Sequence, residues 1–400
     1  MFLEILIAVL AGVLFGVITG LTPGIHTNLV SVLIISFSGF LLGYFDVISV
    51  AVFIISMAVT HTFLNSIPSI FLGAPESETA LGVLPGHRYL LRGLGLMAVK
   101  LTIIGSFGAL ILSILIFPLL IPFVKVVYPL IEKYIGVLLI FIVVFMILRD
   151  RKKVWAIIVF FMAGSLGLIV LNLPNFKNPL FPMLSGLFGV STLIVSLLYN
   201  ERIPKQKISK EIKISKSKTI KALLSGEFSG FITAVLPGLG AATAAVISMQ
   251  ITRKLGDHGF MILMGSINTV NFILSMVTLY VLEKARNGAV IAVSQVMNNI
   301  NLFHIIIFLS AALIAGSISV FLTLWIGKLF SKFITLINYR KLVVFVISFI
   351  VILCFFLTGP LGVFVLFISA SIGIIPAIIK TTRTHSMGCL LLPVILYFIL

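Results

Sequence analysis

Gly16-Val-Ile-Thr-Gly-Leu-Thr-Pro-Gly24 is the stretch that decides the fold, because it recurs later as Gly230-Phe-Ile-Thr-Ala-Val-Leu-Pro-Gly238. Five of the nine positions are identical at an offset of 214 residues. Further along, the offset shortens to 207, where Thr62 aligns with Thr269 and Glu76 with Glu283. The pattern indicates a duplicated sequence with one Pro-Gly motif near the start of each half.

The composition is that of a membrane protein. Of the 400 residues, 60% are hydrophobic and 10% are charged, and the mean hydropathy is +1.28. A soluble domain needs far more charge to cover its surface. Apolar runs of bilayer-spanning length recur along the chain, and in lipid such runs must be helical to satisfy their backbone groups. We therefore predict an all-α polytopic membrane protein of the cell membrane.

The apolar runs form two halves around a polar linker at residues 200–222. We take residues 1–199 as the first repeat and residues 223–400 as the second. The expected architecture has about ten spanning helices plus two broken Pro-Gly hairpins. The 14 predicted segments are 2–21, 27–43, 48–72, 94–120, 132–148, 154–173, 181–199, 223–236, 241–254, 259–282, 303–327, 342–358, 360–379 and 385–400.

The charge distribution predicts the orientation. The net charge is +17, and Glu201 to Lys221 alone holds eight basic residues against two acidic ones. No nucleic-acid-binding motif accompanies this charge, so we interpret it as the excess of Lys and Arg in cytoplasmic loops. With the linker in the cytoplasm, 22 of the 28 Lys and Arg residues fall inside and both termini lie outside. Seven segments in each half then make the two repeats inverted.

The Pro-Gly motifs predict opened helices. Proline breaks a helix, and glycine accepts backbone conformations that other residues avoid. Segments 223–236 and 241–254 are each about 21 Å long, too short to cross the hydrocarbon core. We expect a broken hairpin with its tip at membrane depth, and an equivalent hairpin around Pro23-Gly24 entering from the other side. The alternative for residues 2–43 is two full spans.

Paired interrupted helices in inverted halves are typical of transporter binding sites. A helix that starts after Pro-Gly directs free N–H groups at the cavity, which suits a small anionic substrate. Polar side chains near the tips and inside the spans complete the candidate site, although each alone also fits a helix cap or an interhelical hydrogen bond. The candidate substrate-binding residues are Thr22, Pro23, Gly24, His26, Thr27, Asn28, Asn65, Pro237, Gly238, Gly240, Thr243, Asn268, Thr269 and Asn271.

The stretch 73–93 is the most polar one outside the linker. Glu76 and Glu78 are candidates for binding a coupling Na⁺ or H⁺. His87 and Arg88 are candidates for contact with an anionic substrate or a lipid headgroup. The alternative is a solvated loop with mutual salt bridges. No cofactor or metal site is predicted.

Four stretches resemble the large permease of tripartite tricarboxylate transporters, the TctA-type family. The first and second Pro-Gly motifs resemble its Gly…Pro-Gly-Leu-Gly signature, with His26 where the second motif has Gly240. The resemblance implies an ion-coupled carrier of carboxylates that works with a small membrane subunit and an extracytoplasmic binding protein. The chain resembles a short, divergent member. The other stretches are Asn65 to Ser77, Pro85 to Gly93, with Pro85 in place of an Asp, and Pro182 to Val190.

These observations favour a permease that moves a di- or tricarboxylate-like anion by alternating access. A second hypothesis is a flippase for an anionic polyprenyl-phosphate lipid, because basic cytoplasmic loops also suit a phosphate headgroup. An intramembrane enzyme is the third, but the sequence has no His-Glu-x-x-His and no Asp-rich diphosphate motif.

Overall fold

The computed structural model confirms an all-helical membrane fold. The residues that it describes contain helices and turns without strands. Seven long apolar helices are candidate spans, and the three shorter apolar helices are Ile135–Arg149, Leu180–Val195 and Arg383–Ile399. The described residues are 2–22, 43–73, 83–176, 178–198, 203–208, 215–235, 244–245, 248–249, 252, 255–284, 287–297, 299–336 and 338–400.

The helices of the first half follow one another with short connections. They are α1 Phe2–Leu21, α2 Val47–Leu64, α3 Ser66–Phe71, α4 Val83–Leu91, α5 Gly95–Ile131, α6 Ile135–Arg149, α7 Lys153–Leu171, α8 Leu180–Leu184 and α9 Ser191–Leu198. A π-helix at Ser185–Val190 joins α8 to α9. The backbone stays helical at Asn65, between α2 and α3, so the predicted segment 48–72 is one continuous span, Val47–Phe71.

The second half begins with a helix that extends into the predicted linker. Its helices are α10 Lys216–Val235, α11 Gly256–Leu282, α12 Gly288–Val296, α13 Leu302–Phe333, α14 Tyr339–Ile379 and α15 Gly388–Ile399. α10 starts at Lys216 because the Lys- and Ala-containing end of the linker is a good helix former. α14 consists of two helical segments, as predicted for 342–358 and 360–379, which meet at Gly359, where a φ of 72° and a ψ of −171° are non-helical, ahead of Pro360.

The helices pack into two bundles. The first bundle contains α1 to α5 and α10 to α13, with α2 and α11 at its centre. The second contains α6 to α9, α14 and α15, together with the 3₁₀ turn Arg383–Met387. The chain therefore passes from the first bundle to the second twice, at the short turns Glu132–Tyr134 and Ile334–Leu336.

Small residues hold the first bundle together. Gly105 of α5 and Gly265 of α11 lie where an added Cβ would collide with backbone of the facing helix. Ser106 Oγ donates to the Gly265 carbonyl at 3.1 Å, and Ser266 Oγ donates to the Gly105 carbonyl at 3.3 Å. Close backbone approach with serine hydrogen bonds across it is a typical packing mode for membrane helices.

Several of the basic segments meet at one end of the molecule, which we call the basic end. Gln206 of the linker accepts a hydrogen bond from Gly95 N–H at 2.9 Å and donates to the Leu90 carbonyl at 3.0 Å. Arg92, next to these residues, reaches Asp257 at the start of α11. The other ends of α5 and α11 meet where Lys284 Nζ lies 5.5 Å from the Tyr128 ring centroid.

Candidate functional site

A polar contact between α2 and α11 lies at the centre of the first bundle. Thr62 Oγ1 and Thr269 Oγ1 are 3.4 Å apart. Asn268 Nδ2 donates to the Thr62 carbonyl and to Asn65 Oδ1, both at 3.2 Å. All four residues are buried. Asn65 lies three residues before Pro68, so the polar cluster lies near the point where the helix lacks one backbone N–H donor.

A cavity of about 20 Å³ adjoins this cluster. That volume holds about one water molecule. Within the described part of the chain Asn268 Oδ1 has no hydrogen-bond partner, and a water in the cavity would supply a donor. The cavity is too small for a carboxylate substrate in this conformation. Its polar lining comes from Thr62, Asn65, Ser66, Ser69, Thr102 and Asn268.

The polar contacts extend to α1 and α13. His61 Nδ1 lies 3.2 Å from Thr19 Oγ1, which belongs to the first Pro-Gly stretch. Ser319 Oγ of α13 donates to Thr60 Oγ1 at 3.0 Å. The helix that leads to Pro23 is therefore connected to the polar contact between α2 and α11.

The structure brings some of the sequence-predicted site residues together. Asn65, Asn268 and Thr269 meet in the polar cluster, and Asn271 is buried one turn further along α11. Thr22 lies at the end of α1, where its hydroxyl donates to the Ile18 carbonyl at 2.8 Å. The predicted residues outside the described part of the chain are Pro23, Gly24, His26, Thr27, Asn28, Glu76, Glu78, Pro237, Gly238, Gly240 and Thr243.

A larger cavity of about 420 Å³ lies at the basic end, between the two bundles. Arg88, Asp257 and Met249 line it from the first bundle. Asp257 lies 3.8 Å from Arg88 and 3.3 Å from Arg92, so its charge is already offset. The second bundle contributes Lys380, Thr381, Thr382, Arg383 and Thr384. Cations and hydroxyl groups on facing walls make this cavity electropositive.

Arg383 is the least exposed of the cations that line the cavity. Its Nη1 donates to Thr192 Oγ1 of the second bundle. No carboxylate lies within ion-pair distance of it among the residues that the structure describes. Burial lowers the pKa of Arg383 to about 10, so the guanidinium stays protonated at neutral pH. A half-buried charge without a counter-charge attracts an anionic ligand.

Asp150 fixes the turn that carries Arg383. Its Oδ2 accepts hydrogen bonds from Thr381 Oγ1 at 2.9 Å, Thr382 Oγ1 at 2.8 Å and His385 Nε2 at 2.9 Å. Burial acts to raise the pKa of Asp150, but these bonds and one from Lys152 N–H outweigh it and hold the pKa well below its usual range. Sequence reasoning missed this cluster. Its signal is an acidic residue among the basic residues 149–153.

His87 and Arg88 differ in a way that the sequence does not show. Arg88 lines the cavity, where it lies 3.8 Å from Asp257. His87 is buried, with Nδ1 3.4 Å from the Ile70 carbonyl oxygen. Burial lowers the pKa of His87 to about 4, so the ring is neutral at physiological pH. The stretch 73–93 is also not a solvated loop throughout, because residues 83–91 form α4.

Comparison with known proteins identifies the family. The model of the Tripartite tricarboxylate transporter TctA family matches residues 6–388. An uncharacterized protein of Methanocaldococcus jannaschii is 31% identical over 385 residues, which cover 94% of each chain. No solved structure matches the chain. The chain belongs to the tripartite tricarboxylate transporter TctA family and is a multi-pass membrane permease of that type.

Proposed function

We propose that the permease moves a small organic anion, of the di- or tricarboxylate class, across the cell membrane by alternating access. Transport is coupled to Na⁺ or H⁺, and a small membrane subunit and an extracytoplasmic binding protein are its partners. The observation that carries the proposal is the electropositive cavity between the bundles, in which Arg383 has no acidic partner among the described residues.

The cavity suits a substrate of this size. Small-molecule sites commonly have volumes of about 300–1,000 Å³, and this cavity has about 420 Å³. The guanidinium of Arg383, the ammonium of Lys380 and the hydroxyl of Thr384 offer donors to carboxylate oxygens, whereas the hydroxyls of Thr381 and Thr382 already donate to Asp150. Since the walls belong to different bundles, movement of one bundle against the other would open or close the site.

Matched packing in the two halves supports an inverted duplication. Gly12 and Gly16 of α1 lie against Ser56 and Thr60 of α2. At an offset of 214 residues, Gly226 and Gly230 of α10 lie against Ser266 and Val270 of α11. α1 and α10 therefore present glycines at equivalent positions to α2 and α11, whose facing residues are offset by 210 residues. Residues 1–199 and 223–400 would be the two repeats of the carrier.

The orientation follows from the basic end. Residues 203–208 of the linker bind to the α4–α5 connection, and the cavity-lining cations lie at the same end. An excess of Lys and Arg marks the cytoplasmic face. We therefore place the electropositive cavity on the cytoplasmic side, with the linker 200–222 inside and both termini outside.

The Pro-Gly motifs complete the proposed substrate path. α1 ends at Leu21, directly before Pro23-Gly24, and α10 is described as far as Val235, two residues before Pro237. Met249, which follows the second motif, lines the electropositive cavity. The polar cluster of Asn65, Asn268 and Thr269 lies between the helices that flank the two motifs. A substrate would pass from the motifs to the cavity as the bundles move.

Uptake into proteoliposomes tests the proposal. The purified permease is reconstituted and supplied with a panel of labelled di- and tricarboxylates, with and without Na⁺ and pH gradients. We expect gradient-driven uptake of at least one carboxylate, with or without the partner subunits added. Labelled polyprenyl phosphates form a second panel, because the same cations and hydroxyls suit a phosphate headgroup. Transfer of the lipid with no uptake of any carboxylate would establish the flippase alternative instead.

A further inference from the structure

We propose that Glu227 binds the coupling proton of the permease, an inference that rests on the proposed transport function. Glu227 lies on α10, ten residues before Pro237, and is only 5% exposed. It is an acidic side chain buried within the first bundle, whereas Asp257 lies at the basic end of the bundle. Ionisable residues inside membrane proteins are commonly functional, because burying them is costly.

The carboxyl of Glu227 lies deep between α10 and α5. Ser113 Oγ donates to Glu227 Oε1 at 2.7 Å. Ser113 is the middle residue of the 37-residue α5, so it lies about 27 Å along the helix from either end. One turn to either side, Leu223 packs against Gly108 and Phe231 against Phe123. Apolar contacts thus enclose the carboxyl above and below.

Glu227 has no counter-charge among the described residues. Its Oε2 has no hydrogen-bond partner, and no cation lies within ion-pair distance. On α10 itself, Lys221 is about 1.7 turns away, about 9 Å along the axis. The other titratable groups of α10 and of its neighbours α5 and α11 are Lys216, Lys218, Lys100, Lys125, Tyr128, Asp257, His258 and Tyr280.

These other groups lie at different levels of the bundle. Lys100 and Lys125 are 13 and 12 residues from Ser113, which is about 18–20 Å along α5. α11 contacts α10 where Gly226 meets Ser266. From that level Asp257 and His258 are more than two turns away, and Tyr280 about four. The neighbouring residue of the segment after the second motif, Ser248, is uncharged and bonds to Ser229 and the Ser225 carbonyl.

A carboxylate in this position must be neutralised. An isolated ionised carboxylate is strongly disfavoured in a low-dielectric interior, and such a group takes up a proton or binds a cation. Hard cations take about six oxygen ligands in proteins. Among the described side chains, only the Ser113 hydroxyl bonds to the Glu227 carboxyl, which is far fewer ligands than a metal cation requires. A proton requires one oxygen, and with Ser113 bonded to Oε1 it is carried on Oε2.

Proton binding to Glu227 would influence the position of the hairpin that contains the second Pro-Gly motif. Protonation converts the carboxylate to a neutral acid and removes one negative charge from the contact between α10 and α5. Release of the proton leaves that charge buried, which is favourable only if water or a donor reaches Glu227 from one side. Since α10 leads directly to Pro237-Gly238, the protonation state would bias the position of the proposed substrate-binding hairpin.

Infrared spectroscopy tests the site without transport. We expect reconstituted permease at neutral pH to show a protonated-carboxyl C=O band that Glu227→Gln removes and the control Asp46→Asn, an exposed residue, leaves in place. Ser113→Ala should move the band to higher wavenumber, because the C=O loses its hydrogen bond. A band unaffected by Glu227→Gln would overturn the proposal even if the permease transports carboxylates.

Proton-driven uptake tests coupling. With a gradient of about one pH unit, one proton per anion supports about tenfold accumulation of a labelled carboxylate. We expect the wild type and Asp46→Asn to respond to the gradient, and Glu227→Gln to show uptake that is independent of it. Failure of the wild type to take up any carboxylate would defeat the proposed function while the infrared result still stands. A gradient response retained in Glu227→Gln, or coupling to Na⁺ alone, would defeat the proton site.

Discussion

Thr62 and Thr269 bring their hydroxyl oxygens to 3.4 Å from each other at the contact between α2 and α11. The same two residues align with each other when the halves are compared at an offset of 207 residues. A residue that touches its own repeat equivalent lies on the axis that relates the repeats. The alignment at an offset of 207 therefore places the proposed axis near the polar cluster, whereas the glycine contacts relate α2 to α11 at an offset of 210 residues.

Replacement of both threonines tests the contact. Thr62→Val and Thr269→Val keep the side-chain shape and remove one hydroxyl each. Interhelical hydrogen bonds in membrane proteins contribute about 0.6 kcal/mol on average, so we expect a coupling energy of about that size in a double-mutant cycle. Unfolding in mixed detergent measures it. Strictly additive effects of the two changes would show that the hydroxyls do not interact.

The paired glycines give a matched prediction for the two repeats. A Cβ at Gly16 would collide with Thr60, and a Cβ at Gly230 would collide with Val270. We expect Gly16→Ala and Gly230→Ala each to lower the free energy of unfolding by about 1–3 kcal/mol, because overpacking forces the facing helix away. Leu14→Val, at a position 66% exposed on α1, is the control. A large loss for one glycine and none for the other would argue against equivalent packing in the two halves.

Much of the fold is predictable because lipid leaves few alternatives to a helix. Long apolar runs therefore predict spans such as α7 and α13 to within a few residues. The exception is the C-terminal end of α13, which continues to Phe333 beyond the predicted boundary at residue 327. The short helices α4 and α12 are not predicted because each is brief and partly polar. In α4, Pro85-Gly86 also argues against a helix. Gly359-Pro360 predicts a break at the right place, where α14 bends and continues.

From the sequence, only those site residues that lie within one apolar span can be predicted. Asn268 and Thr269 stand out as polar residues in an apolar span, and such residues usually face the interior of a bundle. The electropositive cavity is different, because it joins Arg88 to Arg383 across nearly 300 residues of sequence. Glu227 is visible in the sequence as a lone acidic residue. Its burial and its bond to Ser113 require the packing of α10 on α5.

Arg383 should matter for the affinity of transport. Hydrogen bonds to charged groups contribute about 1.5–3 kcal/mol, so we expect Arg383→Gln to raise the substrate concentration for half-maximal uptake by about tenfold or more. Initial rates of labelled carboxylate uptake into proteoliposomes measure the effect. The variant removes one positive charge and retains a hydrogen-bond donor.

A matched change separates the cavity from general charge effects. Arg340, exposed at the start of α14, does not line the cavity. Arg340→Gln removes the same charge, and we expect the concentration dependence of its uptake to equal that of the wild type. Equal effects of the two substitutions would mean that Arg383 acts through the overall positive charge of the basic end and does not contact the substrate.

Asp150 should stabilise the second bundle in a pH-dependent way. Its bonds to Thr381, Thr382 and His385 hold its pKa below that of the unfolded chain. The stabilisation is therefore fully present above about pH 4 and is lost as the pH falls further, towards the depressed pKa of the folded state. Removal of the charge from such a network costs about 1–3 kcal/mol. Unfolding of Asp150→Asn beside the wild type should show a stability difference near neutral pH that narrows below about pH 4, with Asp46→Asn as the exposed control. A difference that stays constant with pH would mean that the carboxylate charge contributes nothing to the turn that carries Arg383.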